Sequence, residues 1–449
     1  MLTNKIILLC LSLTLSQFCL ATSSPEMFSH AADEYNVNFK ALIKTDFKNI
    51  SQVESFSSYQ KQQFEDYTVK PTAKFIFGPL TNRSIGGEQK DSKFTVLWSQ
   101  AYIENNIVLI PYEYNGQWLV NKNVNPKVSL ELPLPYNSRI LNTPKWKKCT
   151  DSAPEHQTSD FFWYFWDPTR YGCDHQLGKE FQMISVKFLN KTVQTTKSYP
   201  EYDHMIHDKK ISMTFGFGYI EDPADPEPFK DSDNGMDEFR SFLAIVKTNL
   251  QDYNFKESEI LEKEYLGSNK PDRRIGSRFE FEKQGLAYEI KVVTSGSIDQ
   301  MELFSKSFSH DHDSFFGWFG HSRVGNGFDA YQFNSLVKQN KEFYSITADY
   351  QMIYWAGCNS YSYYTKPFFD FKANLISNDV TGTKSLDIIS NGLPSFFTLN
   401  AANAEVLLKA IVNIEQRMTY QDIVTRIEKQ SHSSGIFVLA NILGDEDNN

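Results

Sequence analysis

One histidine and one cysteine stand where two apolar runs stop. The first run reads Ser314-Phe315-Phe316-Gly317-Trp318-Phe319-Gly320-His321 and opens into Ser322-Arg323-Val324-Gly325-Asn326-Gly327. The second reads Gln351-Met352-Ile353-Tyr354-Trp355-Ala356-Gly357-Cys358. Short apolar runs bounded by glycine suit interior strands, and small exit residues suit a tight rim around a reacting group. A thiol becomes a nucleophile only as a thiolate, so it needs a neighbouring base or another source of activation. An imidazole at the next strand end would supply one.

The chemistry this pairing points to is acyl transfer. Cys358 Sγ would attack a peptide carbonyl, and His321 would take the thiol proton and return it to the departing amine. Backbone N–H groups at Gly357 and Cys358, with the turn formed by Ser322, Gly325 and Gly327, would face the tetrahedral oxyanion. In an open parallel sheet the carboxyl ends of neighbouring strands deliver side chains to one crevice. The segment between the two runs is long enough for a crossover helix, which is the connection that makes neighbouring strands parallel.

The elements that must hold this pair can be read in both directions along the chain. From Lys74 to Pro135 the text is β-rich: Lys93–Trp98, Asn106–Tyr112 and Trp118–Val120 read as strands, with Asn115-Gly116 as a hairpin turn. Before them, Met27–Lys48 carries a weak helical pattern. After Asp208 the pattern changes to alternating strands and helices. Lys210–Ile220 reads as a strand, Phe239 to Leu250 recur at helical spacing, and Leu286–Thr294 reads as another strand. Met301–Phe308 and Ala330–Lys338 read as helices, Leu386–Ile389 as a strand, Ala401–Ile414 as a helix and Ile436–Leu443 as a final strand. This alternation predicts an α/β sandwich around a mostly parallel sheet, preceded by a β-rich module.

Met1 to Ala21 has the form of a secretory signal, with Lys5 in the charged region and Ile6–Leu15 as the apolar core. The expected division is a signal over 1–21, a β-rich module over 22–205 and an α/β domain over 206–445. Export to a periplasm or the extracellular space follows, and no later stretch has the length of a stable membrane span. The net charge of -10 and the lack of a Lys/Arg stripe argue against a nucleic-acid partner. Asn49-Ile50-Ser51, Asn82-Arg83-Ser84 and Asn190-Lys191-Thr192 are acceptor patterns where the producing cell glycosylates asparagine.

Signal removal leaves Cys149, Cys173 and Cys358. Cys149 and Cys173 flank an acidic and aromatic insertion, and a disulfide between them would leave Cys358 unpaired. The aromatic run Phe161–Trp166 reads either as core packing under that loop or as a carbohydrate- or membrane-facing surface. Two acidic segments invite metal readings: Asp222, Asp225, Asp231, Asp233 and Asp237 in one, and His310-Asp311-His312-Asp313 in the other. Neither has a calcium-loop or zinc-motif spacing, and a solvated turn is the expectation for the second. No cofactor motif is present, so no metal and no cofactor are expected.

The segments around His321 and Cys358 resemble the caspase-like cysteine peptidases, the group that includes legumain-like, separase-like, gingipain-like and CHAT-domain enzymes. Members carry a hydrophobic strand ending in His-Gly and a later one ending in a small residue and the catalytic cysteine. The corresponding text here is Phe319-Gly320-His321-Ser322 and Trp355-Ala356-Gly357-Cys358-Asn359-Ser360, with Leu386–Pro394 similar to the following core strand and loop. The resemblance spans Asp208 to Gly444. It implies a caspase-like αβα sandwich and a Cys358–His321 endopeptidase acting on a protein or peptide substrate. Ser322 stands where the family usually has glycine, which crowds the oxyanion site unless Gly325 and Gly327 restore the turn. The second reading is an inactive caspase-like binding or structural module.

Overall fold

The computed structural model describes residues 27–87, 92–125, 129–141, 144–150, 162–221, 223, 225–267, 269–296, 300–322, 330, 333, 335, 346–433 and 438–444. The signal expectation, Gly325, Gly327, Asp222 and most of 330–338 lie outside these residues.

Two sheets organise the described chain. The smaller has seven strands: β2 (Ala32–Lys44), β3 (Ile85–Gly86), β4 (Lys93–Val96), β5 (Tyr102–Glu104), β6 (Ile107–Asn121), β7 (Leu130–Pro135) and β8 (Phe181–Lys191). Its order is β3-β6-β2-β8-β7, with β4 and β5 also paired to β6, and every pairing is antiparallel. The helical pattern expected over Met27–Lys48 gives way to β2. From Val37 onward the period is two: Val37, Phe39, Ala41 and Ile43 are buried, with half-buried or exposed residues between them.

The expected Asn115-Gly116 hairpin is also replaced. Both residues lie inside the long strand β6, where Asn115 pairs with Asn38 and Gly116 with Val37. The glycine serves packing and not a turn. A Cβ on Gly116 would come within 2.1 Å of the Tyr114 hydroxyl, which accepts from Trp118 Nε1 at 3.0 Å. Close side-chain approach is the other common reason for glycine in a strand.

The larger sheet has nine strands: β1 (Met27–Phe28), β9 (Lys210–Gly218), β10 (Lys256–Leu261), β11 (Arg274–Lys283), β12 (Leu286–Ser295), β13 (Phe315–Phe319), β14 (Gln351–Trp355), β15 (Leu386–Asn391) and β16 (Ala440–Leu443). Their order is β1-β16-β15-β14-β13-β9-β12-β11-β10. β12, β9, β13, β14 and β15 run parallel, and antiparallel strands flank them on both sides.

Helices cover both faces. Phe215, Phe217, Phe315, Phe319 and Tyr354 point into one core with the helices Asn234–Leu250, Asn400–Val412 and Tyr420–Ser433. Phe316, Trp318, Ile353 and Trp355 point into the other with Phe304 and Phe368. A strand buried on both sides needs apolar residues at every position, and this produces the continuous runs seen in β13 and β14.

Candidate functional site

β13 and β14 are adjacent and parallel, so His321 and Cys358 follow two carboxyl ends on the same side of the sheet. Glycines fix the exit of β13. The Trp318 ring lies over Gly218 and Gly320, where an added Cβ would come within 2.9 Å and 2.7 Å of it. Its indole N–H donates to the His321 carbonyl at 3.0 Å, which ties down the backbone that carries the imidazole. Beyond the strand ends Gly357 meets Ser322: a Cβ on Gly357 would sit 3.1 Å from the Ser322 Cβ. Ser322 is 1% exposed, so its side chain fills the space between the two strand exits.

His321 bonds to the backbone that follows β9. Its Nε2 lies 3.2 Å from the Ile220 carbonyl, and its ring packs edge-on to Phe397 at 5.1 Å. Burial lowers its pKa, against the opposing effects of the Ile220 carbonyl and Asp233. Asp233 is already engaged: it caps the helix Asn234–Leu250 and accepts from the N–H groups of Ile220 and Glu221.

Cys358 is free and half-buried. Its sulfur accepts from the Ser395 N–H at 3.3 Å and lies 3.8 Å from both the Ser395 carbonyl and hydroxyl. Burial pushes the thiol above its ordinary range, and the Ser395 contacts offset only part of that. The following residue, Asn359, is left-handed and donates its backbone N–H to the Leu393 carbonyl at 2.9 Å. With its amide nitrogen directed at the Leu393 and Gly392 carbonyls, Asn359 meets the Tyr164 hydroxyl at 3.1 Å. Tyr164 comes from the other sheet's core and is held well above the ordinary tyrosine range by burial and then by Cys358.

This geometry overturns the expected thiol peptidase. Among the described residues no hydrogen bond joins Cys358 to His321; the thiol is raised, the imidazole is lowered, and each is satisfied by a different neighbour. The cysteine–histidine cluster of the described chain lies elsewhere, at Cys149, Cys173 and His175. There both sulfurs are consumed in a disulfide. A bonded sulfur is neither nucleophile nor general-base partner, so no free thiol–imidazole pair is formed. The peptidase, thiol-protease and hydrolase readings fall together.

The expected Cys149–Cys173 disulfide is present and leaves Cys358 unpaired. His175, 8% exposed, places Nδ1 3.2 Å from Cys149 Sγ. The sequence reading passed over it, although the spacing Cys173-Asp174-His175 was its signal. Within the aromatic run, Tyr164 and Trp166 are buried core residues. Trp166 packs edge-on to Phe75 at 5.6 Å, so these two side chains pack in the core that also holds Cys149.

Described carboxylates of the first acidic segment are engaged by protein donors. Asp231 accepts from the Tyr219 hydroxyl at 2.8 Å, and Asp237 pairs with Arg240. Where a solvated turn is expected over 310–313, Asp311 and Asp313 join an ion cluster on buried Lys291, while the His312 side chain is exposed. Asp313, 1% exposed, pairs with Lys291 at 2.9 Å and accepts from the hydroxyls of Ser212, Thr214 and Ser307. Asp311 also reaches Lys291, at 2.7 Å. Burial disfavours the ammonium, but Asp313, Tyr265, Asp311 and Glu289 outweigh it and hold Lys291 above the ordinary lysine range.

A shallow, narrow cleft opens beside the carboxyl ends of β14 and β15. Tyr354, Ala356, Ser395, Phe396, Asn400 and Asn403 line it, and Phe396 is 50% exposed. Its lining mixes apolar side chains with the Ser395 hydroxyl and the largely buried Asn400 and Asn403 amides. Among the described residues no helix is long and apolar enough to cross a membrane. Comparisons with protein-family models, curated proteins and solved structures found no match to this chain.

Proposed function

We propose that the chain is a non-catalytic module that binds a protein or peptide segment, built on a caspase-like αβα scaffold and exported from the cell. One observation carries the non-catalytic reading: the cysteine–histidine cluster is a disulfide beside an imidazole, while Cys358 and His321 each bond elsewhere. The scaffold reading is supported by the strand order. β12 and β13 lie on opposite sides of β9, so the winding reverses there, as it does at the ligand crevice of open α/β sheets. Export is supported by the disulfide, which persists in oxidising compartments.

The cleft beside Ser395 is the proposed docking place, with Phe396 as its apolar contact and the Asn400 and Asn403 amides as partners for a peptide backbone. A library of immobilised peptides tests this. Capture is expected to survive Cys358→Ala and His321→Ala and to weaken at least severalfold in Phe396→Ala, with every captured peptide recovered intact. Cleaved peptides whose release depends on Cys358 would overturn the reading.

A further inference from the structure

We propose that the Cys149–Cys173 bond is a thiol-exchange site, opened in the folded protein by a low-molecular-weight thiol that attacks Cys173 and expels Cys149 toward His175.

The two sulfurs are unequal. Cys149 is 0% exposed, whereas Cys173 is half-buried on a turn whose neighbours Gly172 and Asp174 are exposed. The Cys173 end of the bond is therefore the one nearer solvent. The sulfur that must leave is also the one that meets an imidazole: Cys149 Sγ lies 3.2 Å from His175 Nδ1 and 3.9 Å from Nε2. All three ligand-type atoms fall within 4.8 Å of one another. Two exposed lysines immediately precede Cys149: Lys147, and Lys148, which pairs with Asp174 at 3.2 Å. A histidine and nearby cations lower the pKa of a thiol, and a thiol of lower pKa leaves faster in exchange.

The thiolate RS⁻ forms a new bond to Cys173 Sγ as the Cys173–Cys149 bond breaks, and the electron pair passes to Cys149 Sγ. That sulfur accepts a hydrogen bond from the His175 ring and takes up the proton that RSH released on ionising, so it leaves as a thiol. A second thiol displaces Cys173 from the mixed disulfide, releasing RSSR. The protein disulfide is reduced to two thiols and two equivalents of RSH are oxidised. The bond closes a segment with a sequence separation of 24 that carries Tyr164 against Asn359, so exchange removes one anchor of that contact.

The test exposes the full, oxidised chain to reduced glutathione, quenches with acid and maps the adducts by mass spectrometry. Global opening is measured in parallel by hydrogen exchange. The expected result is reduction far faster than global opening, with the transient glutathione adduct on Cys173. In His175→Gln, folded by circular dichroism, reduction slows roughly tenfold because the leaving thiol has lost its partner. The adduct position is read in the wild type and does not depend on that variant folding. Reduction no faster than global opening, an adduct on Cys149, or an unchanged rate in folded His175→Gln would each overturn the proposal.

Discussion

The Tyr361 hydroxyl donates to the Glu34 carboxylate at 2.5 Å, joining the segment after β14 to the central strand of the other sheet. Glu34 is 1% exposed and takes a second hydrogen bond from Thr192 at 2.6 Å. A carboxyl in such a place is kept by its donors: burial raises its pKa, and the hydroxyls of Thr192 and Tyr361 pull it back. The contact lies three residues beyond Cys358, so the two sheets are fastened next to the thiol.

Tyr361→Phe removes that donor and leaves the ring in place. Unfolding in urea should show a loss of about 1–3 kcal/mol, the cost of stranding a buried acceptor. An unchanged midpoint would mean that the two sheets are held together without this bond.

Cys358 should react slowly with a thiol-directed electrophile at neutral pH, because burial keeps it protonated. Its labelling should accelerate as pH rises into and past the ordinary thiol range. His321→Ala should leave that profile unchanged, since the imidazole bonds to the Ile220 carbonyl and not to the sulfur. Labelling that slows in His321→Ala would restore the dyad that the geometry contradicts.

What the sequence discloses here follows from how local each signal is. β13 and β14 were legible because five fully buried residues in a row, closed by glycine or alanine, have few other uses. Their parallel adjacency followed from the crossover between them. The amphipathic helix Asn234–Leu250 announced itself by period. β2 was misread because its first residues alternate poorly, and β6 was cut in two because Asn-Gly is a turn signal wherever tertiary packing does not claim the glycine. The site itself needed contacts with no local trace. Ser395 against Cys358, and the Ile220 carbonyl against His321, join residues far apart in the chain, and each withdraws a group that spacing alone had assigned to chemistry.

The Lys291–Asp313 pair was invisible for the same reason, and it makes a sharp prediction. Lys291→Met leaves the Asp313 carboxylate buried with hydroxyl donors but without its direct countercharge, and should cost about 3–5 kcal/mol. Asp313→Asn in that background should recover part of the loss, because the two side chains share one cluster. A double-mutant cycle on urea midpoints measures this. Strictly additive effects would show that the pair is not coupled.

Glu428 sets the last expectation. It is fully buried in the helix Tyr420–Ser433, and its Oε1 accepts from the Ala31 N–H at 3.3 Å and the Ser29 hydroxyl at 3.4 Å. Lys122 grips the same connector from the other side through the carbonyls of Ser29 and His30, at 3.0 Å and 2.7 Å. Burial drives the Glu428 carboxyl up from 4.5 to about 8, and the bonds from Ala31 and Ser29 and the Lys122 charge offset only part of it. A folded-state pKa above the unfolded one means that the native protein holds a proton the unfolded chain releases. The stabilisation this gives is complete below the unfolded value, declines as pH rises from there, and is gone once pH passes about 8. Glu428→Gln keeps the shape and the hydrogen-bonding oxygen but cannot ionise. Across that window the wild type should lose stability relative to the variant by a few kcal/mol, with the two differing least in acid. Urea unfolding of both proteins at mildly acidic, neutral and alkaline pH reads the difference directly. Parallel profiles would place the proton elsewhere and leave Glu428 an ionised acceptor for Ala31 and Ser29.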